Sequence, residues 1–156
     1  MRVTVKILGL VFVLLLATTN QAWGQTITPA AIIAEVNHAR AENNLKPYTI
    51  SLPLILASLR KGIDMYTLGY LSHVSPRGLY PWDFVKGVGY KYQSVGENLG
   101  FSYTDEVALV NAMLNSPSHR ANLLSKEHTE IGVGVVPHPT LLGETVGVML
   151  FASPQK

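Results

Sequence analysis

The chain has 156 residues, no cysteine and a formal net charge of +2 at neutral pH. Because cysteine is absent, disulfide bridges, thiolate metal sites and cysteine nucleophiles are excluded, and any metal would be bound by histidine and carboxylate. A net charge so close to zero indicates neither nucleic-acid binding nor attraction to an anionic membrane surface.

The N-terminus has the three parts of a cleavable secretory signal. Arg2 and Lys6 supply positive charge, Ile7 to Ala17 is an apolar run, and Ala22 and Gly24 are the small residues that signal peptidase needs. The apolar run is shorter than the roughly 20 residues of a membrane-spanning helix. The pattern therefore predicts export and removal of this segment, with an uncleaved membrane anchor as the alternative.

We expect a signal peptide over residues 1–24, cleavage before Gln25 and a single domain over residues 25–156. Without the two basic residues of the signal, this domain carries ten basic and ten acidic side chains. No later segment is long and apolar enough to span a membrane. The expected product is a monomeric domain secreted to an extracellular or periplasmic space.

Two helices are predicted in the first half of the domain. The first begins at Thr28, with Pro29 at its first position, and ends near Asn43. The second begins at Ser51 and stops by Gly69. Apolar side chains recur at helical spacing along the second helix, which predicts that this stripe is buried. The stripe consists of Leu52, Leu56, Leu59, Ile63 and Tyr66.

The middle of the chain is predicted to contain shorter elements separated by turn residues. Pro81 to Lys86 is typical of a short helix, and Ser94 to Leu99 of a short strand. A third helix is predicted from Thr104, because the two acidic residues after it favour the positive end of a helix dipole. A fourth begins at Ser116 and Pro117. The inward residues of the third helix are predicted to be Val107, Val110 and Leu114.

The last third of the chain changes to a strand pattern. Ile131 to Val136 and Thr145 to Ala152 are rich in β-branched and apolar residues, and the loop from Pro137 to Gly143 joins them. Helices come first and strands last, without regular alternation. This order predicts an α+β domain with an antiparallel sheet.

Three polar side chains are candidates for a shared site: His73, Glu97 and His119. Two imidazoles and one carboxylate are a ligand set typical of zinc with one open position. His119 falls in the first turn of the fourth helix, where the helix dipole disfavours the imidazolium and keeps the ring available as a ligand. The alternative is that the three are separate polar residues without a common site.

Five segments along the domain carry a family resemblance through their order and spacing. They are Asn37 to Arg40, Leu71 to His73, Gly96 to Leu99, Ser116 to Leu124 and Ile131 to Gly134. Together they resemble the landmarks of the CAP superfamily, which joins cysteine-rich secretory proteins, insect venom antigen five and plant pathogenesis-related proteins. The chain is most similar to the cysteine-free, secreted bacterial members, and the resemblance covers essentially the whole domain.

The resemblance implies an α-β-α sandwich, with a small antiparallel sheet between helical layers and a cleft at one side. In the family this cleft gathers two histidines and two glutamates, and zinc or magnesium has been associated with it. By resemblance the histidines correspond to His73 and His119, and the first glutamate to Glu97. The second glutamate falls at Ser116, and Met113 stands where a tryptophan is expected, so one carboxylate of the set is missing.

The remaining histidines and aromatic residues are given structural roles. We expect His128 to pack or lie at the surface, His38 to lie on a solvated helix face and His138 to lie at a loop tip. The aromatic residues that flank Glu97 are expected to pack beneath the cleft, with a ligand platform as the alternative. These residues are Trp82, Phe84, Tyr90, Tyr92, Phe101 and Tyr103.

Two functions of different classes follow from these patterns. The first is a non-enzymatic extracellular binding domain whose cleft holds a lipid, peptide, glycan fragment or metal ion. The second is a metal-dependent, peptidase-like hydrolase, in which His73, Glu97 and His119 hold zinc or activate water. The sequence contains neither H-E-x-x-H nor G-x-S-x-G and offers no second carboxylate as a base, which favours binding.

Overall fold

The computed structural model describes residues 27–103 and 105–155. The expected signal peptide, its cleavage site and Thr104 lie outside these ranges. Among the described residues, no helix has the length and apolar character needed to cross a membrane. The helices are α1 (Pro29–Glu42), α2 (Leu52–Leu68), α3 (Pro81–Lys86), α4 (Glu106–Leu114) and α5 (Pro117–Leu123). The strands are β1 (Thr49–Ile50), β2 (Tyr92–Phe101), β3 (Glu130–Pro137) and β4 (Thr145–Pro154).

The described strands form one sheet in the order β1-β3-β4-β2. β4 pairs antiparallel with both β3 and β2, as predicted for the end of the chain. The short β1, which was not predicted, pairs parallel with β3 and places Thr49 opposite Glu130. Because β2 forms one edge of the sheet, Glu97 lies where loops and helix ends can reach it.

Helices cover both faces of this sheet. One face packs against α1, α4 and α5, in a cluster that contains Val36 and Phe151. The other face packs against α2 and α3, where Leu54 and Phe84 share a cluster with Leu150 of β4. The predicted α+β class and the α-β-α sandwich are therefore confirmed.

The buried face of α2 differs from the prediction. The predicted stripe is exposed except at the half-buried Leu59; Leu52, for example, is 76% exposed. The helix instead lies close to β3, because Gly132 and Gly134 put no side chain between helix and strand. A Cβ at Gly132 would lie 2.5 Å from the Leu54 Cβ and closer still to the backbone of α2. The buried residues of α2 are Leu54, Ala57, Ser58, Lys61, Gly62, Asp64 and Met65.

The structure contains α4 and α5 where the sequence predicts them, but their capping residues and the buried face of α4 differ in part from the prediction. Asp105 caps α4 by accepting a hydrogen bond from the Ala108 N–H at 2.7 Å. Ser116 precedes α5, but its side chain makes no capping bond. The predicted inward face of α4 is wrong at Val107, which is 47% exposed. The buried residues of α4 are Leu109, Val110 and Met113.

Candidate functional site

Glu97 lies on the face of β2 that packs against α2. It stands opposite Leu150, whose side chain belongs to the apolar cluster beneath α2 and α3. Residues directly opposite each other on paired strands share one face of the sheet. The Glu97 side chain is 2% exposed, so the fold buries an acid between the sheet edge and the helix.

His73 lies in the segment that follows α2. The helix ends at Gly69, whose φ of 68° is in the left-handed region that favours glycine. The chain then returns to β2, and His73 Nδ1 donates a hydrogen bond of 2.7 Å to Glu97 Oε1. The His73 side chain stays 57% exposed. Two of the three predicted site residues are therefore in contact.

Lys61 of α2 also belongs to this site, and the sequence analysis missed it. The residue is fully buried, although lysine is almost never buried without partners. Its Nζ donates to the carbonyl oxygens of Ser72 at 2.8 Å and His73 at 2.9 Å, and to the Tyr70 hydroxyl at 3.0 Å. These bonds attach the segment that carries His73 to α2. They also place a positive charge near Glu97.

The contact between His73 and Glu97 changes how both residues titrate. Burial raises the pKa of Glu97 above its ordinary value, although the hydrogen bond from His73 and the charge of Lys61 lower it. The pKa of His73 is also raised, because Glu97 accepts its hydrogen bond and favours the imidazolium. While His73 is protonated and Glu97 ionised, the two side chains form an ion pair. Above the His73 pKa, a neutral imidazole still donates to the carboxylate.

A cleft of about 300 Å³ opens beside this pair. Glu97 lines it, and its Oε2 is buried without a hydrogen-bond partner among the described residues. Tyr80 and Trp82 form one wall, with their rings nearly parallel and 4.5 Å apart. A buried carboxylate oxygen normally accepts a hydrogen bond, so Oε2 has unused acceptor capacity on a residue that lines the cleft. The rest of the lining is largely apolar and includes Val74, Pro81 and Val95.

His119 lies in α5, on the other face of the sheet, and is connected to β2 through its backbone. Asn98 Nδ2 donates to the His119 carbonyl oxygen at 3.0 Å, and Asn122 Nδ2 donates to the Glu97 carbonyl oxygen at 3.1 Å. Ser116 directly precedes α5, and its hydroxyl lies 3.5 Å from that of Ser118. Over residues 27–103 and 105–155, no three histidine, aspartate or glutamate side chains form a group that could hold a metal ion. The structure therefore brings together His73 and Glu97 but not the third predicted ligand.

The other histidines differ from each other in burial. His38 lies on an exposed helix face, as predicted, and pairs with a glutamate one turn later at 3.4 Å. His128 is buried, and burial lowers its pKa. His138 lies in the predicted loop, but it is 8% exposed and stands at the base of the loop, where its backbone N–H donates to the Glu144 carbonyl oxygen, and not at the tip. Its Nδ1 accepts hydrogen bonds from the N–H groups of Thr140 and Leu141, so the ring organises the loop from within.

The aromatic residues near Glu97 do not all pack in the core. Phe84 is buried, and Tyr90 and Tyr92 pack at the margin of the same cluster. Trp82 is 40% exposed on the cleft wall, so the expectation of core packing is wrong for this residue. Tyr80, which was not singled out in the sequence, is 43% exposed and stacks on it. The cleft thus has an accessible aromatic wall.

The sandwich and its cleft agree with a known family. The model of the cysteine-rich secretory protein family, CAP, matches residues 33–151, from α1 to β4. The chain belongs to this family. The resemblance inferred from the five sequence segments is therefore confirmed, and the absence of cysteine fits its cysteine-free bacterial type.

Two proteins of Bacillus subtilis are among the similar sequences. The chain is 34% identical over 105 residues to the uncharacterized protein YkwD of Bacillus subtilis, an alignment that covers 67% of this chain and 41% of YkwD. It is 31% identical over 121 residues to the uncharacterized membrane protein YlbC of the same organism, covering 76% of this chain and 35% of YlbC. The chain thus spans less than half the length of either relative.

Solved structures agree with the assignment of the chain to the CAP family. An extracellular protein of Bacillus anthracis that contains an SCP domain superposes with a TM-score of 0.70 and 28% identity, covering 78% of this chain and 39% of that one. An outer surface protein of Borrelia burgdorferi gives a TM-score of 0.71 and 22% identity, covering 80% of this chain and 90% of that one. The second likeness, at 22% identity, shows a shared fold alone.

Proposed function

We propose that this chain is an exported CAP domain that binds a small polar ligand in the cleft beside His73 and Glu97, without covalent chemistry. The proposal includes removal of residues 1–24 as a signal peptide and release of a monomeric domain over residues 25–156 outside the cytoplasm. The signal pattern supports export. The similarity to an extracellular SCP-domain protein of Bacillus anthracis supports it as well.

The unpartnered Oε2 of Glu97 is the observation that carries the binding proposal. An unpaired buried polar atom costs free energy, because its hydration has been lost and nothing has replaced it. The cost is recovered when a ligand donates a hydrogen bond to that atom. The cleft is also concave and mostly apolar with few polar groups, which is the usual composition of a small-molecule site.

A screen of neutral polar fragments by two-dimensional NMR of the isotope-labelled protein tests this proposal. We expect the fragments that bind to shift the signals of Val74, Val95 and the Trp82 indole, and Glu97→Gln to abolish most of these shifts. Glu42→Gln is the matched control, because this glutamate is exposed on α1 and lies outside the cleft. Shifts scattered over the surface, or shifts retained in Glu97→Gln, would contradict the proposal.

A divalent metal is the second candidate for the cleft, with zinc or magnesium held by His73, Glu97 and His119. The free Oε2 of Glu97 and the exposed ring of His73 favour it. Against it, these two side chains are one ligand short of the three that catalytic zinc sites usually have, and Lys61 places a positive charge nearby. This arrangement of His73 and Glu97 does not fit zinc unless the His119 side chain moves into contact with them. The hydrolase alternative depends on the same ion.

Calorimetry with zinc tests the metal candidate. If the His119 side chain joins the pair, zinc should bind more weakly than in a closed structural site, with an affinity that falls as the pH is lowered through the histidine range, because protonation competes with the ion. His73→Ala and His119→Ala should each remove the binding, whereas His38→Ala on the exposed face of α1 should leave it unchanged. No heat with the parent protein, or unchanged binding by both site variants, would exclude a shared metal site.

A further inference from the structure

The aromatic wall of the cleft is held in a fixed position by α3. Tyr80 stands at the start of this helix, and its backbone N–H donates to Asp83 Oδ2 at 2.9 Å. Pro81 lies between these two aromatic residues in the sequence, and its burial anchors the turn. Tyr80 and Trp82 nevertheless remain 43% and 40% exposed. A stacked and anchored aromatic pair gives a ligand a flat apolar surface at little entropic cost.

The charges around the cleft disfavour a cationic ligand. The negative charge of Glu97 faces Lys61 and His73, so one or two positive charges already balance it. Asp64, the other carboxylate near Lys61, is paired with Arg77 and accepts a hydrogen bond from the Tyr70 hydroxyl at 2.6 Å. No negative charge in this group is left for a bound cation.

An anionic ligand is disfavoured by the position of the free acceptor. Glu97 Oε2 is the buried polar atom without a partner in the lining of this cleft, and a carboxylate oxygen accepts hydrogen bonds but repels other anions. The donors of Lys61 are already used by three oxygen atoms of the protein. The ligand that fits is therefore neutral, has an apolar flat face and carries an N–H or O–H donor at its edge.

We propose that the cleft binds a neutral saccharide, with the C–H face of a sugar ring on the outer face of the stacked pair of Trp82 and Tyr80 and a hydroxyl or acetamide N–H donated to Glu97 Oε2. The inference rests on the proposed function, because it names the ligand class of the same cleft. Sugar rings combine an apolar face with peripheral hydroxyl groups, which is the complement of an aromatic wall beside a buried acceptor.

Trp82 allows a direct test by fluorescence. The chain has two tryptophans, and Trp23 lies in the segment proposed to be removed, so the domain over residues 25–156, or the full chain with Trp23→Phe, has Trp82 as its one tryptophan reporter. We expect chitotriose, a neutral trimer of N-acetylglucosamine, to change this fluorescence saturably. Its deacetylated, cationic counterpart should bind at least about tenfold more weakly, a difference of about 1.4 kcal/mol. Cellotriose tests a neutral sugar without the acetamide group.

Variants separate the cleft from the rest of the surface. By calorimetry, Trp82→Ala should weaken chitotriose binding at least about tenfold, as expected for loss of a stacking ring. Tyr66→Ala removes an aromatic ring of α2 that is 52% exposed outside the cleft and should leave binding unchanged. Both residues are on the surface, so thermal melting should show that both variants fold.

The outcomes distinguish the ligand class from the binding function. Failure of both neutral trimers to bind, equal binding of the cationic trimer, or full binding by Trp82→Ala would overturn the saccharide proposal. If fragments of another kind still enter the cleft in the NMR screen, the proposed binding function stands with a different ligand. If neither saccharides nor fragments bind there, both proposals are wrong.

Discussion

Gly132→Ala is expected to lower the melting temperature by roughly 10 °C, corresponding to about 3 kcal/mol for a domain of this size. The added methyl group would meet the backbone of α2 at Leu54 and Ile55. Backbone atoms cannot rotate away as the end of a side chain can, so relief requires the whole helix to move from β3. That movement would also disturb Lys61, which lies further along the same helix. Thermal melting followed by circular dichroism measures the effect.

Gly147→Ala is the matched control for this prediction. Gly147 is in the neighbouring strand β4, and a Cβ there would meet the Ile32 Cδ1 at 3.7 Å, an ordinary van der Waals distance. Alanine also loses less conformational entropy on folding than glycine, so the change should be neutral or slightly stabilising. Equal melting temperatures for the two variants would contradict the close packing of α2 on β3.

The fold was predictable from the sequence where local signals decide it. Thr28 and Pro29 mark the start of α1, and the β-branched run after Glu130 predicts β3. The burial of α2 was not predictable from its own residues. Its largest apolar stripe includes Leu52 and faces outward, because the glycines of β3 let the face that carries Leu54 and Ser58 approach the strand closely. That choice depends on a segment some 80 residues later in the chain.

The site was predictable in part, through the family resemblance rather than through periodicity. The motifs that contain His73 and Glu97 identify the pair that the fold brings into contact. Lys61 was missed because a lysine in an amphipathic helix usually extends into solvent. One signal was available: Ala57 and Met65 lie four residues before and after it, which places Lys61 on their face of the helix. No local pattern indicates that this face is the buried one.

Lys61→Met is expected to destabilise the domain by about 3 kcal/mol at neutral pH, the effect typical of breaking a buried charge interaction. Methionine is unbranched like lysine and one atom shorter, so the packing of the stem is largely preserved. It removes the donors to the carbonyl oxygens of Ser72 and His73 and the positive charge near Glu97. Lys86→Met is the control, because Lys86 is exposed at the end of α3 and should have little effect.

The pH dependence of this loss distinguishes the charge of Lys61 from its hydrogen bonds. The charge of Lys61 lowers the pKa of Glu97, so Lys61→Met should raise it further above its ordinary value, which NMR of the carboxyl carbon measures. Because folding raises the pKa of Glu97, this acid stabilises the folded state at pH values below its pKa in the unfolded chain. That stability is lost as the pH rises through its pKa in the folded protein. The variant should therefore lose more stability relative to the parent at pH 7 than at pH 4, where a protonated Glu97 needs no counter-charge. An equal deficit at both pH values, with an unchanged Glu97 pKa, would mean that Lys61 acts only by holding the His73 segment.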